Sequence, residues 1–453
     1  MEKDDLEIGI IGMGDMGRMY AHKLAAAGWK HVNVCDRPEE YERLREDLQG
    51  TGLNVLRDGH QVARRSDFTM YSVESGHIDK VVAQYGASHK LGSIVGGQTS
   101  VKAPERAAFE AYLPPDVHIV SCHSLHGPQI DSNGQPLVLI QHRAAEDILH
   151  VVERILACLE SRYVYMSYEE HDVVTANTQA VTHAAFLTMG TAWSESKEYP
   201  WETGRHPGGI EMVKIYLCLR IYGAKSHVYA GLALLNPAAR IQVTQYAASS
   251  SDLFKLMLTS QYDALVERVF AARRSVFGWA DDEVGGADGT GRPMLMTDEM
   301  LDEFYVIAQR VTRGEQAGKE AAEAVKTLHA PPNSHLSLLA IADCWHVLGV
   351  DPYRHLELAA TPVFRMWIGV TQYMFQSPQR LLDACRAAIK DTRFRTDDLE
   401  FVIAARGWAQ AVQFGDFDAY KRRFEQPHAF FKPRLAEAHK VGAEMLKELS
   451  HTR

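Results

Sequence analysis

Short apolar runs alternate with amphipathic stretches through the first third of the chain. They predict strands at residues 8–11, 32–35, 69–73, 93–96, 118–122 and 137–140, with helices between them. Strands regularly separated by helices form a parallel, doubly wound sheet, the architecture of an α/β Rossmann domain. After Tyr165 the period changes from that of strands to that of helices, at 172–192, 251–277 and 336–348, which predicts a large all-α second half. The expected organisation is therefore residues 1–165 as a dinucleotide-binding domain and 166–453 as a helical domain. Between 281 and 293 the sequence DDEVGGADGTGRP has no buried face, the composition of a mobile loop that serves either as a lid or as a plain insertion. LLNPAAR and FQSPQR have loosely similar helix-end patterns.

At 453 residues and 46% hydrophobic, the chain has material for two or more cores. A formal net charge of −10 argues against a polyanionic partner, because nucleic-acid affinity comes from clustered Lys and Arg. Cys35, Cys122, Cys158, Cys218, Cys344 and Cys385 are scattered without paired spacing, as expected of reduced thiols in the cytoplasm. The acidic start MEKDDLEIGIIGMG runs straight into a strand, unlike a signal or transit peptide, and no apolar run reaches membrane-spanning length.

Gly12, Gly14 and Gly17 space a G-x-G-x-x-G between the strand IGII and the helix RMYAHKLAAAGW. In that setting glycines let a pyrophosphate approach the helix N-terminus; the plainer reading is an ordinary strand-to-helix turn. Asp36 closes the second strand at the spacing of a ribose-hydroxyl acceptor, which favours NAD. Arg37 beside it offers a guanidinium to a 2'-phosphate, which favours NADP. Ser100 and His123 each follow a predicted strand, at the sheet edge where open parallel sheets bind ligands and a nicotinamide ring would lie. The alternative makes Ser100 the cap of a helix beginning near Ala103 and His123 a satisfied core histidine. In EEHDVVTANTQAVTHAAF, Asp172, Gln179 and His183 are spaced by near-whole turns, giving one helical stripe that is either ligand-facing or merely wet on one side. His123 and His126 have a metal-like spacing, but no third ligand cluster accompanies them and no metal is expected.

Together GIIGMGDMG, GGQTSVK, SCHSLHG and EEHDVVTANTQAVTHAAF resemble the prephenate dehydrogenase family, in particular its fungal branch, over nearly the whole chain. Bacterial relatives carry D-x-x-S-x-K where this chain has GGQTSVK, and H-P-M-x-G where it has His123-Ser124-Leu125-His126-Gly127. The resemblance thus implies Ser100 and His123 as catalytic residues and His183, with Gln179, as substrate-facing. The family also holds a substrate carboxylate with an arginine on a following helix, and two segments resemble it, LRIYGAKSHVYAGLALLNP and TPVFRMWIGVTQYMFQSP. Chain order favours Arg220 and local pattern favours Arg365. Gly231 and Gln372 stand near positions that are basic in bacterial relatives.

The implied activity is oxidative decarboxylation of prephenate to 4-hydroxyphenylpyruvate in tyrosine biosynthesis. The fungal branch and Arg37 point to NADP, with NAD as the alternative that Asp36 supports. Such an enzyme must orient the substrate's C4 against the nicotinamide, present a neutral imidazole to the 4-hydroxyl, and supply positive charge for two carboxylates. A homodimer formed through the helical half is expected. The rival readings are an arogenate or other hydroxyacid dehydrogenase of the same architecture and, more distantly, a non-catalytic NAD(P)-sensing protein.

Overall fold

The computed structural model describes residues 5–128, 130–203, 207–286, 294–327, 333–359 and 361–451. The chain divides into two compact units, Met1–Thr175 with Leu235–Pro237, and Ala176–Leu234 with Ala238–Arg453. The helix Tyr168–Thr175, which follows the expected boundary at Tyr165, is counted with the first unit. Its His171 and Asp172 bond to groups of the sheet and of a helix that packs on it.

The first unit is an eight-stranded sheet, β1 (Glu7–Ile11), β2 (His31–Cys35), β3 (Asn54–Val55), β4 (Phe68–Tyr71), β5 (Ile94–Gly97), β6 (His118–Ser124), β7 (Pro136–Arg143) and β8 (Arg162–Tyr165), in the order β3-β2-β1-β4-β5-β6-β7-β8. The strands from β3 to β6 are parallel, as expected of a doubly wound sheet. The departure is at β7, which runs antiparallel to β6, with β8 parallel to β7. The reason is local. The connection from Leu125 to Gln135 holds Gly127-Pro128 and Asn133-Gly134, turn chemistry too short for the crossover a parallel partner needs.

Strand order reverses between β1 and β4, and the carboxyl ends there form the crevice in which such sheets bind ligands. β1 is buried on both faces, with Ile8 and Ile10 packed in one cluster and Ile11 in the other. The helix Asp15–Ala26 docks onto the first cluster through Tyr20, Ala21 and Leu24, spaced three and four apart.

The second unit is helical. Val181–Ser196, Gly209–Tyr222 and Leu336–Leu348 are apolar nearly all round and form its interior, where Trp345, Trp367 and Trp408 are fully buried. The helix expected over 251–277 is three elements. The helix Pro237–Leu258 ends, a turn at 259–261 follows with Ser260 at φ +55°, and Tyr262–Ala272 continues into a π-helical turn, Arg273–Phe277. Of the loop expected at 281–293, residues 287–293 lie outside the described residues. Asp281 is held by Arg274 at 2.6 Å. Among the described residues no helix is long and apolar enough to cross a membrane, and all six cysteines are free thiols.

Candidate functional site

The glycine turn at the end of β1 is shaped by close approach. Gly12 has φ +102°, and a Cβ there would lie 2.3 Å from the Ser72 carbonyl oxygen at the end of β4; a Cβ on Gly17 would lie 2.1 Å from the Gly12 carbonyl. Gly14, the N-cap of the helix Asp15–Ala26, has nothing within 4 Å of that position. The opening is therefore kept clear in front of helix N–H groups that attract anions, which fits a dinucleotide pyrophosphate. Gln98, just past β5, donates through Nε2 to Ser72 Oγ, while its buried Oε1 has no partner among the described residues. A buried acceptor left over at this edge fits a ligand that brings an N–H or O–H.

The Asp36 carboxylate is folded back on this turn, accepting from Met13 N at 2.9 Å and from Arg37 N at 2.8 Å. The Arg37 side chain is 69% exposed, with Glu40 at 3.4 Å and Glu39 at 4.0 Å. Arg57, which the sequence reading did not single out, follows β3 with its guanidinium 5.9 Å from the centre of the Tyr41 ring. Nothing in the local pattern marks it, because its place beside the end of β2 depends on the strand pairing.

Ser100 lies in the turn between β5 and the helix Lys102–Tyr112. The N-cap of that helix is Val101, so the Ser100 hydroxyl is not spent on capping. The first N–H groups are satisfied from far along the chain: Asp172 Oδ1 accepts from Lys102 N and Asp172 Oδ2 from Ala103 N, both at 2.8 Å. The stripe of Asp172, Gln179 and His183 expected from helical spacing is thereby corrected. A π-helical segment, Ala176–Ala180, interrupts the helix, and the Asp172 carboxylate serves as a helix cap.

His123 is 7% exposed near the end of β6. Its Nδ1 is 2.8 Å from His171 Nε2, and His171 Nδ1 is 3.0 Å from Asp172 Oδ1. These contacts fix the tautomers. A carboxylate only accepts, so His171 donates through Nδ1 and must accept at Nε2, which makes His123 the donor through Nδ1 and leaves its Nε2 as a bare lone pair. Burial holds both imidazoles well below the usual histidine range, aided at His123 by the neighbouring His171 and Lys102 and at His171 by Lys102. Both are therefore neutral at pH 7. Burial also raises the Asp172 carboxyl, an effect that the Lys102 and Ala103 N–H groups oppose.

Beneath His123, Lys102 and Glu105 form a fully buried ion pair at 2.9 Å. Lys102 Nζ also donates to the carbonyls of Gly97 at 3.1 Å and Cys122 at 2.9 Å, pinning together the ends of β5 and β6. Glu105 in turn accepts from Thr99 N at 3.1 Å and Thr99 Oγ1 at 2.5 Å. Neither Lys102 nor His171 was selected from sequence, although both lie inside the diagnostic segments. A lysine three residues before a glutamate reads as a surface pair until burial is known.

In the helical unit, His183 is buried with its ring 4.6 Å from that of Tyr229, and burial pushes it down to about 3. Its Nδ1, like Asn177 Oδ1 and Thr182 Oγ1, has no partner among the described residues. Three unspent polar atoms at the π-helical turn are a signature of a ligand-binding stretch. Gln179 is buried within that turn. Arg220, in the last turn of Gly209–Tyr222, lies close enough to Tyr229 for its charge to favour the phenolate against burial. The structure thus groups His183 and Arg220 around Tyr229. Arg365 stands on another helix, Pro362–Gln376, whose Trp367 packs on Phe186 at 4.9 Å.

The family model described as a 6-phosphogluconate dehydrogenase C-terminal domain matches residues 180–451, and that described as NADP oxidoreductase coenzyme F420-dependent matches residues 7–95. The chain is 48% identical over 448 residues to a probable prephenate dehydrogenase (NADP+) of Schizosaccharomyces pombe, covering 99% of this chain and 98% of that one. It is 47% identical over 449 residues to a prephenate dehydrogenase (NADP+) of Saccharomyces cerevisiae, covering 98% and 94%. A crystal structure of prephenate dehydrogenase from A. aeolicus, with hydroxyphenyl propionate and NAD+, is similar at 19% identity and a TM-score of 0.47, over 58% of this chain and 94% of that one.

Proposed function

The chain belongs to the family of NADP-dependent prephenate dehydrogenases, and from that premise we infer which of its residues carry the oxidative decarboxylation of prephenate. The observation that carries the reading is the chain Asp172–His171–His123, which leaves one unprotonated imidazole nitrogen near the end of β6. Bound NADP supplies the hydride acceptor for C4, and Gly12, Gly14 and Gly17 would admit its pyrophosphate. His123 Nε2 takes the proton of the 4-hydroxyl; Ser100 orients that hydroxyl; departure of the ring carboxylate as CO2 leaves an aromatic ring, which drives the reaction. His171 returns no proton. It holds His123 in the tautomer whose Nε2 accepts, and Asp172 holds His171.

Purified enzyme is expected to raise absorbance at the reduced-nicotinamide band with prephenate and NADP, and weakly or not at all with arogenate. Turnover of arogenate alone would transfer the same chemistry to an ammonium-bearing substrate, and turnover of neither would end the reading. Arg37, exposed and lightly paired, is assigned to the 2'-phosphate. Arg37→Ala should cut kcat/KM for NADP by about ten- to a hundredfold and change that for NAD little, about 1.4 kcal/mol per factor of ten. An unchanged NADP/NAD ratio would remove Arg37 from the cofactor site.

For the carboxylate clamp, Arg220 is preferred to Arg365 because it shares Tyr229 with His183. An anchor acts on ground state and transition state alike, so Arg220→Ala should raise KM for prephenate at least about tenfold with kcat within a few-fold. Steady-state kinetics of Arg220→Ala beside Arg365→Ala decides between them.

A further inference from the structure

The helical unit carries one of its own segments twice. Thr182-His183 is followed by Trp193 in the helix Val181–Ser196, and Ser334-His335 by Trp345 in Leu336–Leu348; the His-to-Trp spacing is the same, 193 − 183 = 345 − 335. Downstream, LLNP and FQSP end a helix in each copy, and their prolines begin Pro237–Leu258 and Pro378–Lys390. His335 therefore takes in the second copy the position that His183 takes in the first.

His335 also lines a pocket of about 520 Å3, with Trp193, Phe394, Glu211, Lys214 and Asp398 among its walls. Its chemistry is unlike that of a site for a dianionic substrate. Glu211 and Lys214, 9% and 7% exposed at the side chain, pair at 2.7 Å. Asp398 is held by Ser334 Oγ at 2.9 Å, and burial raises its carboxyl to about 7. His335 Nδ1 lies 3.3 Å from Glu211 Oε1 but off the line of a hydrogen bond, and its backbone sits at φ +48°. A non-glycine residue strained in the left-handed region beside a buried cluster of both charges is a feature that binding sites accumulate.

We propose that this pocket binds an amino-acid-sized zwitterion with a flat apolar side chain. Lys214 receives the carboxylate, Asp398 and Glu211 the ammonium, and Trp193 and Phe394 flank the ring. The carboxylates outnumber the lysine, which rejects a dicarboxylate without an amine. The pocket is built on the second copy of the segment, so it is separate from the His183 position and regulates or stabilises the enzyme without entering the chemistry.

The test is calorimetric titration of the full-length enzyme, free of substrate and cofactor, with L-phenylalanine, L-tyrosine and L-tryptophan. Each is compared with its decarboxylated amine and its deaminated acid. At least one aromatic zwitterion should bind, at least about tenfold more tightly than its amine or its acid, with affinity lowered at least about tenfold by Asp398→Asn. The paired variant Glu211→Gln/Lys214→Met, which leaves no buried charge alone, should do the same. His123→Asn should leave binding intact, which separates this pocket from the reaction whatever the enzyme's substrate proves to be. Absence of heat with all three amino acids at millimolar concentration overturns the proposal. So does binding that is indifferent to both pocket variants.

Discussion

His123→Asn is expected to lower kcat with prephenate at least about a hundredfold while KM stays within a few-fold, because general base catalysis contributes on the order of 10²- to 10⁴-fold. Asparagine keeps a side-chain N–H for His171 Nε2 to accept but has no basic nitrogen. The pH profile carries the sharper signature. Only neutral His123 accepts a proton, and burial, His171 and Lys102 hold its pKa well below 6.5. Wild-type activity should therefore persist on the acid side of pH 6.5 and fall only as the pH drops through that lowered value; the asparagine variant should lack this limb. His171→Phe gives an intermediate result, a reduced kcat with the limb displaced, since the tautomer is then unconstrained. If His123→Asn keeps near wild-type kcat and an unchanged profile, His123 is structural and the base is His126 or His183.

Lys102→Met should be the most damaging single change to the first unit, at about 3–5 kcal/mol, because it leaves Glu105 as an unpaired buried charge. The carbonyls of Gly97 and Cys122 lose their donor as well, which loosens β5 and β6 immediately before Ser100 and His123. The control is Lys255→Met. Lys255 pairs with Asp252 at a similar 2.8 Å, but its side chain is 70% exposed, and such pairs are worth about 0–1 kcal/mol. Hydrogen exchange of the β5 and β6 amides, which reports on this unit by itself, distinguishes the two. Equal protection in both variants would mean that Lys102 is dispensable to the sheet end.

The residues that chemistry requires at fixed local spacing were legible in the chain. Gly12 and Gly17 are demanded by backbone clashes within one turn, and β1, β2, β4, β5 and β6 announce themselves as apolar runs because both faces are covered. The reversal at β7 was also available in principle, from the short Gly-, Pro- and Asn-containing connection before it.

What a single sequence does not encode visibly is which distant polar groups meet. Asp172 spaced correctly for a stripe with His183, yet its carboxylate caps a helix seventy positions away, and the π-helical turn after it breaks the period on which the stripe rested. His171 pairs with His123 across 48 positions, and no local period records such a contact. Sequence by itself determined the dinucleotide turn, the order of strand and helix, and the residue types at the strand ends, since these follow from sterics and burial over a few neighbours. Only the tertiary structure decided the tautomer of His123, the burial of Lys102 and the company of Arg220, because each depends on the low-dielectric contacts that folding creates between segments far apart in the chain.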